Sequence, residues 1–135
     1  MDKWNIQEKV KILVPIDKTQ EAEKAASYAT GIAKNYSGTL ELIHVVPTPV
    51  MPKTVNEIPS FVSKMREKVE SSGVKCSASV FRGYPGQTIV QQAEENDFDL
   101  IVMANRSLGG LGIFKLDDTS DYVTDESKIP VLVVK

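Results

Sequence analysis

Apolar residues along this chain follow two alternating periods. The first run, residues 10–16, is apolar except for Lys11 and ends at Asp17. A short apolar run bounded in this way predicts a buried strand. Next, Ala22, Ala25, Ala26, Ala29, Ile32, Ala33 and Tyr36 recur mainly at spacings of three and four, the stripe of one helix face, and Ser37-Gly38 ends it. Residues 39–46 predict a second strand, closed by Pro47 and Pro49. Past a proline-containing loop, Ile58, Phe61, Val62, Met65 and Val69 form another helical stripe, stopped at Ser71-Ser72-Gly73. Val74, Cys76, Ala78 and Val80 alternate with Lys75, Ser77 and Ser79, the two-residue period of a third strand. Pro85 suits the first turn of a helix carrying Ile89, Val90 and Ala93. Residues 99–104 predict a fourth strand. A glycine-rich loop follows, then a short helix from about Asp117 to Glu126, and Ile129–Val134 is the fifth strand.

Strands alternating with helices predict an α/β fold, with one open parallel sheet, helices on both faces and right-handed crossovers. The near-continuous apolar runs of the first and fourth strands fit burial on both sides. Residues 10–135 are expected to form one domain, with residues 1–9 as an N-terminal extension. No linker or internal repeat divides the chain. Periodicity leaves the strand order open.

Composition narrows the function classes. The formal net charge is -2, so electrostatics favour neither a nucleic acid nor an anionic membrane as partner. No apolar run approaches the ~18 residues of a membrane span, and the charged N-terminus has no apolar signal core. A single cysteine, Cys76, excludes an internal disulfide framework and a cysteine metal cluster. By elimination, the expected location is cytoplasmic.

Four local patterns bear a resemblance to the universal stress protein family. They are Ile12-Leu13-Val14-Pro15-Ile16-Asp17 before an alanine-rich helix, and Leu42-Ile43-His44-Val45-Val46 at the end of the second strand. The third is Gly83-Tyr84-Pro85, followed by the run from Asp97 to Met103. The fourth is Pro130-Val131-Leu132-Val133-Val134. The resemblance runs from about Lys11 to the end. It implies a five-stranded parallel sheet in the order 3-2-1-4-5, a Rossmann-like arrangement. A ligand in such a sheet sits at the carboxyl ends of the strands flanking the reversal of order, here near Asp17 and Ala104.

The resemblance also implies a phosphate cradle after the fourth strand. Its pattern is Gly, two residues, Gly, nine residues, then Gly-Ser or Gly-Thr. Here those positions hold Ala104, Ser107 and Asp117-Asp118, so every defining position departs. Asp117 or Asp118 can cap the helix that a phosphate caps in ATP-binding members. Two unit charges ~4 Å apart repel by ~4 kcal/mol at an effective dielectric of ~20, before screening. Tight ATP binding is therefore not expected. Other features remain compatible with ATP or another adenine nucleotide. Asp17 and the backbone around Val45 match adenine and ribose contacts of ATP-binding relatives. Arg106 can pair with phosphate, and Gly109, Gly110 and Gly112 offer a shifted cradle or simply a loop. Asp17 has a second reading, as a cap of the turn or of the helix that follows.

His44, the single histidine, reads either as a catalytic or metal-binding group or as a packed side chain with one hydrogen-bond partner. Cys76 reads as core or as a reactive thiol. The acidic group Asp117, Asp118, Asp121, Asp125 and Glu126 lacks the spacing of a calcium loop. Trp4 belongs to an arm that either packs on a partner or stays loosely ordered. No Gly-x-Ser-x-Gly elbow, evident general base or metal pair is present. The expected function is that of a small stress-response protein acting by binding. It is expected to form a homodimer through strand Ile129–Val134 and to engage a protein partner not identified by sequence. The alternative is a nucleotide-dependent switch or weak ATP hydrolase.

Overall fold

The computed structural model describes residues 9–48, 53–105 and 119–135. In chain order the elements are β1 (Lys11–Pro15), α1 (Gln20–Asn35), β2 (Thr39–Pro47), β3 (Lys53–Val55), α2 (Ser60–Ser71), β4 (Cys76–Gly83), α3 (Pro85–Glu95), β5 (Leu100–Ala104), α4 (Thr119–Glu126) and β6 (Val131–Val134). They build one sheet in the order β3-β4-β2-β1-β5-β6. All pairings are parallel except β3 with β4. The five parallel strands therefore stand in the expected order. No helix among the described residues is long and apolar enough to cross a membrane.

Among the described residues the sheet has six strands, not five. Residues Lys53–Val55 fall in the stretch expected to be loop, yet they pair antiparallel with β4, Lys53 opposite Arg82 and Val55 opposite Val80. Three residues are too few to show a two-residue period. The driving force is nonlocal: without β3, the outer edge of β4 would leave its backbone groups unpaired. Two smaller corrections concern the helical stripes. Tyr36 and Ile58 lie outside α1 and α2, and both are exposed.

Alternation along the strands sorts their side chains to two cores. Ile12, Val14 and Ile16 pack with the alanines of α1 and with Val62, Met65 and Val69 of α2. Leu13, Ile43, Ile101 and Met103 pack with Ile89 and Ala93 of α3 and with Val123 of α4. The small stripe of α1 lets that helix lie close on the central strands. Thr19 caps α1, its hydroxyl accepting from the Ala22 N–H at 3.1 Å. A Thr cap of this kind contributes about 1 kcal/mol. Ser37 takes the left-handed conformation that ends α1, with φ 52. The turn brings Gly38 against the backbone of Val10.

Candidate functional site

The chain turns back at the centre of the sheet, so β1 lies between β2 and β5. The register pairs Pro15 with Ile43 and Leu13 with Ile101. Carried upward, it brings Asp17 level with Val45 and Ile16 level with Ala104. Three residues predicted from sequence thus meet at the carboxyl end of the sheet. Arg106, Ser107, Asp117 and Asp118 lie outside the described residues, as do Trp4 and the glycines at 109, 110 and 112.

The three are not equivalent. The Asp17 carboxylate accepts from the Thr19 N–H at 3.0 Å and from the Thr19 hydroxyl, both on Oδ1. This closes the turn and orients the very hydroxyl that caps α1, so the capping reading of Asp17 has direct geometric content. The Val45 side chain packs toward the α3 side, and what it offers a ligand is main chain. Ala104 is fully buried, with its methyl in the core beneath α1. Its side chain therefore belongs to the core and not to the crevice wall.

His44 has a defined place. Its Nδ1 lies 3.0 Å from the carbonyl oxygen of Ile16. A carbonyl only accepts, so Nδ1 carries the hydrogen. The ring meets Phe61 edge-on, with centroids 4.9 Å apart and planes at 86°. His44 thereby ties β2 to the residue before Asp17 and to the first turn of α2. Among the described residues, no group of three or more metal-ligating side chains comes together.

Beside Asp17 opens a cleft of about 410 Å³ between α1 and α2, with Lys18, Thr19, Phe61, Lys64 and Lys68 in its walls. The Lys18 ammonium lies 5.7 Å from the centre of the Phe61 ring. Sequence reading passed over Thr19 and these lysines, and took Phe61 only as part of a helical stripe. An Asp-x-Thr before a helix is a signal for a turn and cap. Nothing local marks the lysines, because two helices distant in sequence bring them together.

Cys76 is buried, and burial, reinforced by Glu70, pushes its thiol up to about 12. A thiol with a raised folded-state value favours the native state below its unfolded value of 9.0. That contribution is lost as pH rises from there toward 12. At pH 8, alkylation by iodoacetamide is expected to be slow in the native protein and to become fast in denaturant. Equal rates would show that the thiol is accessible.

Comparison with known proteins agrees with this architecture. The sequence profile of the Universal stress protein family matches residues 10–135. Universal stress protein MJ0531 of Methanocaldococcus jannaschii is 30% identical over 93% of this chain and 81% of its own length. The solved structure of MJ0577, from the same organism, superposes with a TM-score of 0.74 at 25% identity, covering 93% of this chain and 95% of that one. A universal stress protein solved with cAMP gives a TM-score of 0.73 at 20% identity, over 93% of this chain and 96% of its own. With its fold, strand order and sequence match in agreement, this chain belongs to the universal stress protein family.

Proposed function

We propose that this universal stress protein is a small regulatory binding protein that works as a homodimer joined through β6, without tight ATP binding. The observation that carries this reading is the open edge of the sheet. Ile101 donates to the Pro130 carbonyl and Asn105 to the Val134 carbonyl, each at 3.0 Å. Alternation then turns the backbone groups of Val131 and Val133 outward, away from β5. Leu132 is 38% exposed beside them. An apolar edge with unpaired groups invites pairing, and a two-fold axis lets the same strand of a second copy satisfy it.

Val133→Pro tests this reading. It deletes an outward N–H and spares the bonds to β5, so the monomer tolerates it. Light scattering at tens of micromolar is expected to show a dimer for the parent and dimerisation weakened at least ~tenfold for the variant. A monomeric parent, or a variant that dimerises as strongly, would remove this interface.

A second reading concerns the crevice. Universal stress proteins sharing this fold have been solved with cAMP, with dAMP and with AMP bound. Each of these ligands carries one phosphate, and one phosphate needs less of the cradle that Ser107, Asp117 and Asp118 replace. Among the described residues, the buried hydroxyls of Thr48, Thr88 and Ser120 have no hydrogen-bond partner. Thr48 follows β2 and Ser120 opens α4, near the carboxyl ends of the strands. Calorimetry is expected to show no low-micromolar binding of magnesium ATP, with AMP or cAMP binding at least as well. A clear micromolar ATP isotherm would overturn the expectation and favour a shifted use of the glycine-rich loop.

A further inference from the structure

The cleft beside Asp17 does not end there. A second hollow of about 480 Å³ continues along α1 and α2, sharing Glu23, Met65 and Lys68 with the first. Together they run beside α1 from its N-cap to Lys34, roughly 20 Å at 1.5 Å per residue. The groove exists because α1 contributes Ala26, Ser27 and Thr30 to it, residues too small to close the space against Met65 and Val69 of α2. The resulting floor is partly apolar.

The rim is cationic. Lys18, Lys24, Lys34, Lys64 and Lys68 line the two hollows, against the carboxylates Asp17 and Glu23. Asp17 is engaged with Thr19, Glu23 and Lys68 are paired in a 2.9 Å salt bridge, and Lys24 donates to the Lys135 carbonyl at 2.7 Å, so the cationic excess rests chiefly on Lys18, Lys34 and Lys64. The other side of the sheet has the opposite character. Helices α3 and α4 contain no lysine or arginine, and Glu94, Glu95, Asp121, Asp125 and Glu126 on them are all exposed. Helices α1 and α2 as a whole are close to balanced, with Lys24, Lys34, Lys64, Arg66 and Lys68 against Glu21, Glu23, Glu67 and Glu70, so the positive excess is local to the groove. An acidic partner is repelled by α3 and α4 and meets a positive excess along the groove.

We propose that the groove between α1 and α2 docks an acidic peptide segment of another protein, one that intersperses apolar residues with its carboxylates. The inference rests on the partner-binding reading above and gives that partner its chemistry. Carboxylates meet the lysine rim, and apolar side chains reach Met65 and Val69. An extended segment of about 8 residues spans roughly the groove's length. The groove opens from the Asp17 crevice and shares Met65 and Lys68 with its wall, so a ligand held at Asp17 lies next to the docked peptide.

The test uses the full chain and a fluorescein-labelled peptide of alternating glutamate and leucine, about 8 residues long. Anisotropy is expected to show binding that weakens as salt rises. The triple variant Lys24→Glu, Lys64→Glu, Lys68→Glu is expected to lose at least ~tenfold in affinity. Because charge reversal also changes long-range attraction, Thr30→Trp supplies a neutral control. It fills the groove and is expected to weaken binding by a similar factor. A peptide alternating lysine and leucine is expected not to bind. Equal affinity for parent and both variants, equal binding of the lysine peptide, or amide NMR shifts confined to α3 and α4 would each overturn the proposal. Preferential binding to anionic phospholipid vesicles or to polyphosphate would overturn it as well. Peptide binding retained by Val133→Pro, or dimerisation retained by the lysine variant, tells failure of the groove apart from failure of the dimer.

Discussion

Replacing Leu13 with alanine is expected to lower the unfolding free energy by about 3 kcal/mol, within the range measured for buried leucines. Leu13 is completely buried at the middle of β1, the strand at the centre of the chain's reversal. It packs in the same core as Ile43, Ile101, Met103 and Ile89. Its strand is held on one side at Glu41 and on the other at Ile101. Neither neighbouring strand can slide inward to fill the space without breaking its ladder. The loss is therefore expected to include most of the cavity cost as well as the transfer cost. For a chain of this size it corresponds to a melting temperature lower by about 10 °C. Urea unfolding followed by circular dichroism would measure it, with the slope unchanged if only the native state is affected. A loss below ~1 kcal/mol would mean that α3 settles into the vacated space.

The second large effect is expected at Gly38, where alanine should cost about 2–3 kcal/mol through overpacking. A Cβ on Gly38 would stand 2.5 Å from the carbonyl oxygen of Val10 and 3.4 Å from the Cα of Ala33. That oxygen cannot retreat cheaply, because it accepts from the Thr39 N–H at 2.9 Å and so starts the pairing of β1 with β2. Gly38 also donates to Ala33 at 2.8 Å, closing the end of α1. Relieving the clash pulls on both bonds at once. Gly31, in the same helix, gives the opposite result. A Cβ there meets nothing within 4 Å. Alanine at Gly31 is expected to stabilise by about 0.5–1 kcal/mol, since it removes backbone freedom from the unfolded chain and suits a helix. Thermal melts of the two variants should move in opposite directions. Movement in the same direction would show that the turn at Ser37 adjusts more readily than its hydrogen bonds suggest.

The site has an economy that bears on both functional readings. Asp17 spends Oδ1 on Thr19, and Thr19 spends its hydroxyl on Ala22. His44 holds the carbonyl just before Asp17. The end of β1 is therefore held by side-chain hydrogen bonds from within the chain. Such preorganisation suits a surface that recognises partners as well as a crevice that positions a small anion.

The periodicity of the chain determined the layered plan by itself. Alanines at Ala22, Ala25, Ala26, Ala29 and Ala33 announce a helix that must lie close on its sheet. The runs around Leu13 and Ile101 announce strands covered on both faces. These signals are local, because a strand or helix face repeats within a few residues and burial acts on every repeat. The order of the strands came from family resemblance, and the tertiary structure agrees with it. Other features depend on contacts between distant segments, which no window of sequence contains. Lys53–Val55 became a strand only because β4 had an edge to satisfy. Ala104 was expected at the crevice, yet its methyl turns into the core because β5 alternates in register with β1. The lysine rim exists only because α1 and α2, separated by β2 and β3 in the chain, settle side by side on one face of the sheet. Side-chain period is a property of the local backbone, whereas a groove is a property of what the backbone leaves unfilled.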